Sequence, residues 1–323
     1  MENNERLICV IIDFMTDERA ETIRKAAEAN GFKAEFYKDI ESAGERLGQC
    51  EVLYCYNAEI ASHAKNAKWV SSTWAGVAPF LEPGVLQEGC ILTNGAGSYG
   101  LAISEHVIGV ALMLLKRLPE YFESLERGEW IHNLEIRSIY GSSVTIIGTG
   151  DIGQNIATRM KALGAESVHG VNYRGKNPDN IFDDIRTFDK VDEILPATDI
   201  LVLCAPDTPD TAGMMNADRI GLLSPHSIIV NVGRGTIMDQ DALVEALNSK
   251  KIQGAALDVM VPEPLPMDHP LRSARNCIIT PHIAGNMTLK YTCDKSVENF
   301  CKNLARYTAG EPMEHTVNFE KGY

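Results

Sequence analysis

The stretch Val144-Thr145-Ile146-Ile147-Gly148-Thr149-Gly150-Asp151-Ile152-Gly153 decides the fold. An apolar run, a G-x-G-x-x-G turn and an amphipathic pattern from about Gln154 to Leu163, stopped by Gly164, follow one another directly. That order of strand, glycine turn and helix is the signature of a dinucleotide pyrophosphate site. Each glycine has a separate job: a tight turn, close backbone approach to the pyrophosphate, and close packing of helix on strand. The first-turn N–H groups then meet the phosphates at the positive end of the helix dipole. The glycines alone would also suit an ordinary βα turn. A strand and a helix in register on either side favour the dinucleotide site.

Working outward, β-like runs at 7–12, 33–37, 52–56, 69–73 and 90–93 precede the turn, with a helix at 17–30 ended by Gly31. The spacing predicts a helix over 102–118, stopped by Pro119, that links this unit to a second one beginning near Ser142. There, strands are expected at 168–171, 200–204, 228–232, 255–257 and 277–280, and a helix at 241–249 entered by Asp241. A last helix from about 288 to 307 closes at Gly310 and Pro312. Such alternation predicts an α/β chain of two Rossmann-like, doubly wound parallel-sheet domains with a cleft between them. The expected boundaries are 1–101 plus 288–323 for a discontinuous, flavodoxin-like domain and 102–287 for the dinucleotide domain.

Composition narrows the partners. A chain of 323 residues is long enough for two cored domains. The net charge of −14 argues against nucleic acid or an anionic membrane, since neither would be attracted. The polar start Met1–Arg6 predicts no secretory leader, and the apolar run 107–115 is too short to span a bilayer. The eight cysteines form no CxxC pair and sit in apolar contexts, which predicts buried free thiols and a cytoplasmic setting. The eight histidines show no ligand spacing, so no metal site is expected.

Polar residues that follow predicted strands are the candidates for chemistry, because ligands gather at strand C-terminal ends in open α/β sheets. Asn231-Val232-Gly233-Arg234-Gly235 places an arginine between glycines after a buried strand, which suits an anion clamp. Leu257-Asp258-Val259 is followed by Pro262-Glu263-Pro264, where prolines fix the backbone of one glutamate. Thr280-Pro281-His282-Ile283-Ala284-Gly285 carries a single histidine after a strand end. Alone, a surface arginine, a stiff proline connection and a structural histidine would explain each of these.

Together, in this order, these motifs make the chain resemble the D-isomer-specific 2-hydroxyacid dehydrogenase family over nearly its whole length. In the first unit, Ser72-Thr73-Trp74-Ala75-Gly76-Val77 resembles that family's substrate-carboxylate loop, departing at Ala78, where the family usually carries Asp. The resemblance implies that Arg234 holds the carboxylate and carbonyl of a 2-oxo acid. It implies that His282 gives a proton to the carbonyl oxygen as hydride arrives, and that Glu263 hydrogen-bonds the imidazole and favours its charged form. Gly76 and Val77 would receive the substrate carboxylate through their backbone N–H groups, with Trp74 beside it, and the first domain would be the substrate-binding one. Besides Gly148, Gly150, Asp151, Ile152 and Gly153, the implied cofactor contacts are Cys204, Ala205, Pro206, Thr211, Val232, Gly233, Asp258, His282 and Gly285, with Asp258 near the nicotinamide carboxamide.

The position that reads the adenine ribose falls in Gly170-Val171-Asn172-Tyr173-Arg174-Gly175-Lys176. An acidic residue there would repel a 2′-phosphate. Asn172 does not, and Arg174 and Lys176 offer charges to pair with one, so NADP(H) is expected over NAD(H). The alternative is that both cations are solvated and Asn172 serves NADH. A small 2-oxo acid such as glyoxylate, hydroxypyruvate or a short alkyl homologue is the expected substrate. Tyr54, Tyr56 and Asn57 would either border it or belong to the core.

The helix at 102–118 and the segment through Trp130 resemble the family's dimerisation arm, which implies a homodimer; Trp130 would pack across it or be an ordinary buried aromatic. Three other readings of the same fold stand beside the reductase. Formate dehydrogenase carries Gln where this chain has Glu263, phosphite dehydrogenase keeps the Arg/Glu/His set, and corepressor-like nucleotide-sensing scaffolds share even the triad.

Overall fold

A computed structural model describes residues 6–177, 180–320 and 322. The chain divides into two compact units, one running to Tyr99 and resuming at Met287, the other Gly100–Asn286.

The first unit is a parallel sheet of Arg6–Ile11 (β1), Phe32–Phe36 (β2), Val52–Cys55 (β3), Trp69–Ser72 (β4) and Ile91–Thr93 (β5), in the order β2-β1-β3-β4-β5. Side chains alternate between its faces, and both faces are covered. Ile8, Val10, Val52, Tyr54 and Trp69 meet Ile23 and Ala27 of the helix Asp17–Ala29 and Val297, Phe300 and Leu304 of the helix Lys290–Ala309. Leu7, Cys9, Ile11, Leu53, Cys55 and Val70 pack instead with Leu47, Ile60 and Phe80. Thr16 starts the first helix by accepting the Arg19 amide, and Gly31, at φ 73, turns the chain out of it.

The Tyr54 ring stacks on Phe300 at 4.4 Å and its hydroxyl bonds the Ser296 hydroxyl. Asn57 caps the helix Ala58–His63 through the Ile60 amide, and Tyr56 packs against the core. All three therefore do structural work.

The second unit is a parallel sheet of Ser143–Ile147 (β6), Ser167–Val171 (β7), Asp184–Arg186 (β8), Ile200–Leu203 (β9), Ile228–Asn231 (β10), Gly254–Leu257 (β11) and Cys277–Ile279 (β12). Their order is β12-β11-β10-β9-β6-β7-β8. The strand order reverses between β6 and β9, so the crevice outside their C-terminal ends is the expected ligand position in such a sheet. The glycine turn follows β6 at that point.

The helix expected over 102–118 is two helices, Gly100–Leu115 and Leu118–Glu126. Arg117 adopts the left-handed conformation at φ 60 and ends the first, while Pro119 lies in the first turn of the second. Proline is tolerated there because that N–H lacks an intrahelical partner in any case. Trp130 is 84% exposed, which excludes an ordinary buried aromatic within this chain. Among the described residues no helix is long and apolar enough to cross a membrane.

Candidate active site

In the second unit the glycines of the turn divide their labour as steric facts. Gly148 has φ 105, and a Cβ there would lie 2.7 Å from the Ala205 amide nitrogen. A Cβ on Gly153 would lie 2.0 Å from the Gly148 carbonyl oxygen, so the helix Asp151–Ala162 reaches the strand only because that side chain is missing. Gly150 differs: φ is −76 and no described residue lies within 4 Å of its Cβ position. Among the described residues no neighbour requires glycine at Gly150, whereas a pyrophosphate laid against the backbone would.

The Gln154 amide of this helix donates to the Gly150 carbonyl. Among the described residues the amides of Ile152 and Gly153 have no acceptor, which leaves them for an anion. Asp151 accepts the Asn155 side-chain amide. These features fit a dinucleotide.

The loop after β9 closes the turn from the other side. Cys204 donates its thiol to the Gly148 carbonyl at 3.1 Å, and burial pushes that thiol up to about 12, so it is a tether and not a nucleophile. Thr211 donates to the Pro206 carbonyl at 2.6 Å and accepts the Thr208 amide at 2.9 Å, fixing the loop. Gly233 packs against this segment too, since a Cβ there would sit 2.8 Å from the Ala205 carbonyl oxygen.

Asn172 follows β7 and builds its own loop. Its Oδ1 accepts the amides of Arg174 and Gly175 at 2.9 and 2.7 Å, and its Nδ2 donates to the Thr149 hydroxyl and the Lys176 carbonyl. The Arg174 side chain is exposed above this turn.

Arg234, Glu263 and His282 follow three adjacent strands, β10, β11 and β12, on the same edge of the sheet. Asn231 is fully buried, accepts the Gly233 amide and donates to the Arg234 carbonyl, so it pins the arginine's backbone. A Cβ on Gly235 would lie 2.3 Å from the Met260 carbonyl carbon, which seats this loop against the next. Met260 in turn donates its amide to Glu263 Oε1 at 2.9 Å. Glu263 Oε2 lies 2.8 Å from His282 Nδ1. A carboxylate is acceptor-only, so Nδ1 carries the hydrogen and Nε2 faces away from Glu263. The two side chains are 52% and 36% exposed, open to a small molecule.

Asp258, assigned to the cofactor from the resemblance, is only 3% exposed, and its carboxylate takes three donors from the chain itself. Sequence motifs assign no role to Asn231, Thr280 or His106: Asn231 works within its own loop, while Thr280 meets Asp258 and His106 from distant parts of the chain. Val232 is buried beneath the arginine loop, and Gly285 is half-buried at the end of the His282 strap.

In the first unit, Trp74 follows β4 and is 42% exposed. Its amide donates to Ser72 Oγ, its carbonyl accepts the Gly95 amide, and Asn94 holds the Ala75 carbonyl. Among the described residues the amides of Gly76 and Val77 have no acceptor, so this held loop presents two unused donors.

Residues 108–284 match the family model "D-isomer specific 2-hydroxyacid dehydrogenase, NAD binding domain". A glyoxylate reductase/hydroxypyruvate reductase from Homo sapiens is 36% identical over 216 residues, 65% of this chain and 64% of the relative. A crystal structure of a D-isomer specific 2-hydroxyacid dehydrogenase family protein from Aeromonas salmonicida superposes with a TM-score of 0.83 at 30% identity. It covers 98% of this chain and 99% of that one. An NADPH-dependent glyoxylate/hydroxypyruvate reductase from Sinorhizobium meliloti, crystallised with NADP and sulfate, has a TM-score of 0.79 at 27% identity, over 99% and 100% of the two chains.

Proposed function

The chain belongs to the D-isomer-specific 2-hydroxyacid dehydrogenase family, and on that premise we propose that it reduces a small 2-oxo acid to the D-2-hydroxy acid with NADPH. The observation that carries this reading is the 2.8 Å pair between His282 Nδ1 and Glu263 Oε2, one strand away from Arg234.

The glycine turn would hold the pyrophosphate of a reduced dinucleotide, which would supply the hydride. Arg234 holds the substrate carboxylate with its planar fork and orients the carbonyl. His282 Nε2 releases its proton to the carbonyl oxygen as the carbon is reduced. Glu263, fixed by the Met260 amide, keeps the ring in the orientation that aims Nε2 outward.

Preference for NADPH is supported by Asn172, which brings no negative charge to the ribose position, and by the exposed Arg174 beside it. The Sinorhizobium relative is NADPH-dependent. A homodimer is supported by Phe122, Leu125, Trp130 and Ile136, large apolar side chains left exposed along residues 118–136. The eight cysteines, all free, suit a reducing cytoplasm.

His282→Ala tests the reading against a nucleotide-sensing scaffold of the same fold. Turnover of glyoxylate or hydroxypyruvate should fall by about 10²–10⁴ while NADPH binding persists. Unchanged turnover in this variant would remove His282 from the reaction.

A further inference from the structure

His282 sits at φ 55, a backbone region that a non-glycine residue occupies only when its surroundings hold it there. The surroundings are one buried carboxylate. Asp258 Oδ1 accepts the Thr280 hydroxyl at 2.6 Å and the Ile283 amide at 2.9 Å, and Oδ2 accepts the Ala284 amide at 2.9 Å. The Asp258 carbonyl also accepts the His282 amide at 2.9 Å. Every one of these donors lies between 280 and 284, on either side of His282. A buried charge that lost them would be strongly unfavourable, so the carboxylate and the strap fix each other.

Thr280 supplies the side-chain donor of this set, through the shortest contact. Its hydroxyl has one proton, which goes to the acceptor-only carboxylate. His106 Nε2, on the helix Gly100–Leu115, lies 3.5 Å from the same oxygen and must therefore be the donor to it. Burial pushes the His106 imidazole down from the usual histidine range, which favours the neutral ring with a single N–H to donate.

We infer that Thr280 is a positioning residue for His282, acting through Asp258, with His106 anchoring its hydroxyl from the helix. The inference rests on reading His282 as the proton donor.

Thr280→Val removes the hydroxyl at nearly constant volume, and Thr280→Ser restores it. The measurement pairs steady-state kinetics with the ¹⁵N chemical shifts of the His282 ring, identified by its loss in His282→Gln. In Thr280→Val the ring should lose its fixed Nδ1–H tautomer, and kcat should fall by about ten- to a hundredfold with little change in cofactor affinity. Thr280→Ser should recover both. If Thr280→Val does not fold, Thr280→Ala is read the same way. Wild-type ring shifts in the hydroxyl-free variant overturn the inference, whatever happens to turnover. Absence of 2-oxo acid turnover in the wild-type protein would instead defeat the proposed function, while the ring shifts still decide the role of Thr280.

Discussion

Adding one methyl group to Gly150 or to Gly153 should have opposite consequences. At Gly153 the new Cβ would lie 2.0 Å from the Gly148 carbonyl oxygen, which is backbone and cannot rotate away. Overpacking of this kind costs about 3 kcal/mol, at the upper end of the usual range. A domain of this size shifts by about 2–4 °C per kcal/mol, so Gly153→Ala should lower the transition of the second unit by about 6–12 °C. At Gly150 no described residue lies within 4 Å of the Cβ position and the backbone, at φ −76 and ψ −162, accepts alanine. Gly150→Ala should leave the transition unchanged or raise it by about 1–3 °C, from the smaller entropy of the unfolded chain.

Its effect should appear on the ligand, because the methyl group occupies the approach of the pyrophosphate. NADPH affinity should fall by about tenfold or more, ~1.4 kcal/mol. Calorimetric unfolding gives the first quantity, and titration of the cofactor's fluorescence gives the second. A Gly150→Ala protein that binds NADPH like the wild type would refute the cradle, and a stable Gly153→Ala protein would refute the packing argument.

Other perturbations separate the remaining parts of the account. Glu263→Gln must turn an amide NH₂ toward one of the two donors it now accepts, His282 Nδ1 or the Met260 amide; kcat should fall by about 10–100-fold with NADPH binding retained, as read by steady-state kinetics and titration. Asn172→Asp sets a carboxylate against the Lys176 carbonyl and a 2′-phosphate, so the ratio of kcat/KM for NADPH over NADH should drop by about tenfold or more. Trp130→Ser should weaken self-association, measured by sedimentation across a concentration series.

Acid should destabilise the first unit through Glu35. The Arg46 guanidinium holds this carboxyl down at about 2 against an ordinary 4.5, despite the opposing effect of partial burial. A folded value below the ordinary one means the stabilisation is complete above pH 4.5 and is lost as pH falls toward 2. Glu35→Gln should therefore lower stability at neutral pH and flatten the acid limb of the unfolding profile, both measured by denaturant titration.

Much of the fold was legible because the chain marks it locally. The glycine turn announces itself where steric facts demand glycine, and the apolar strands β6, β9, β10 and β11 are continuous runs because helices or loops cover both faces. β8 was missed: Asp184-Ile185-Arg186 is a short, polar-flanked strand at the sheet edge, with no apolar run to reveal it. The break at Arg117 was misplaced to Pro119, because the left-handed residue that ends the helix is not a glycine.

At the site, Arg234, Glu263 and His282 were legible as strand-end motifs, but their supports were not. Asn231 holds the arginine loop from the last residue of β10, and Asp258 gathers donors 22 to 26 residues away. Tyr54 looked like a candidate for the substrate side until Phe300 and Ser296, from the far end of the sequence, filled its surroundings. Such contacts belong to tertiary packing and leave no periodicity in the chain.

The central claim is tested most directly by mixing the purified protein with NADPH and hydroxypyruvate or glyoxylate and following cofactor and product together. One NADPH should be oxidised for each hydroxy acid formed, with the D enantiomer from hydroxypyruvate and slower turnover with NADH. Tight NADPH binding with no oxidation by any small 2-oxo acid would contradict it.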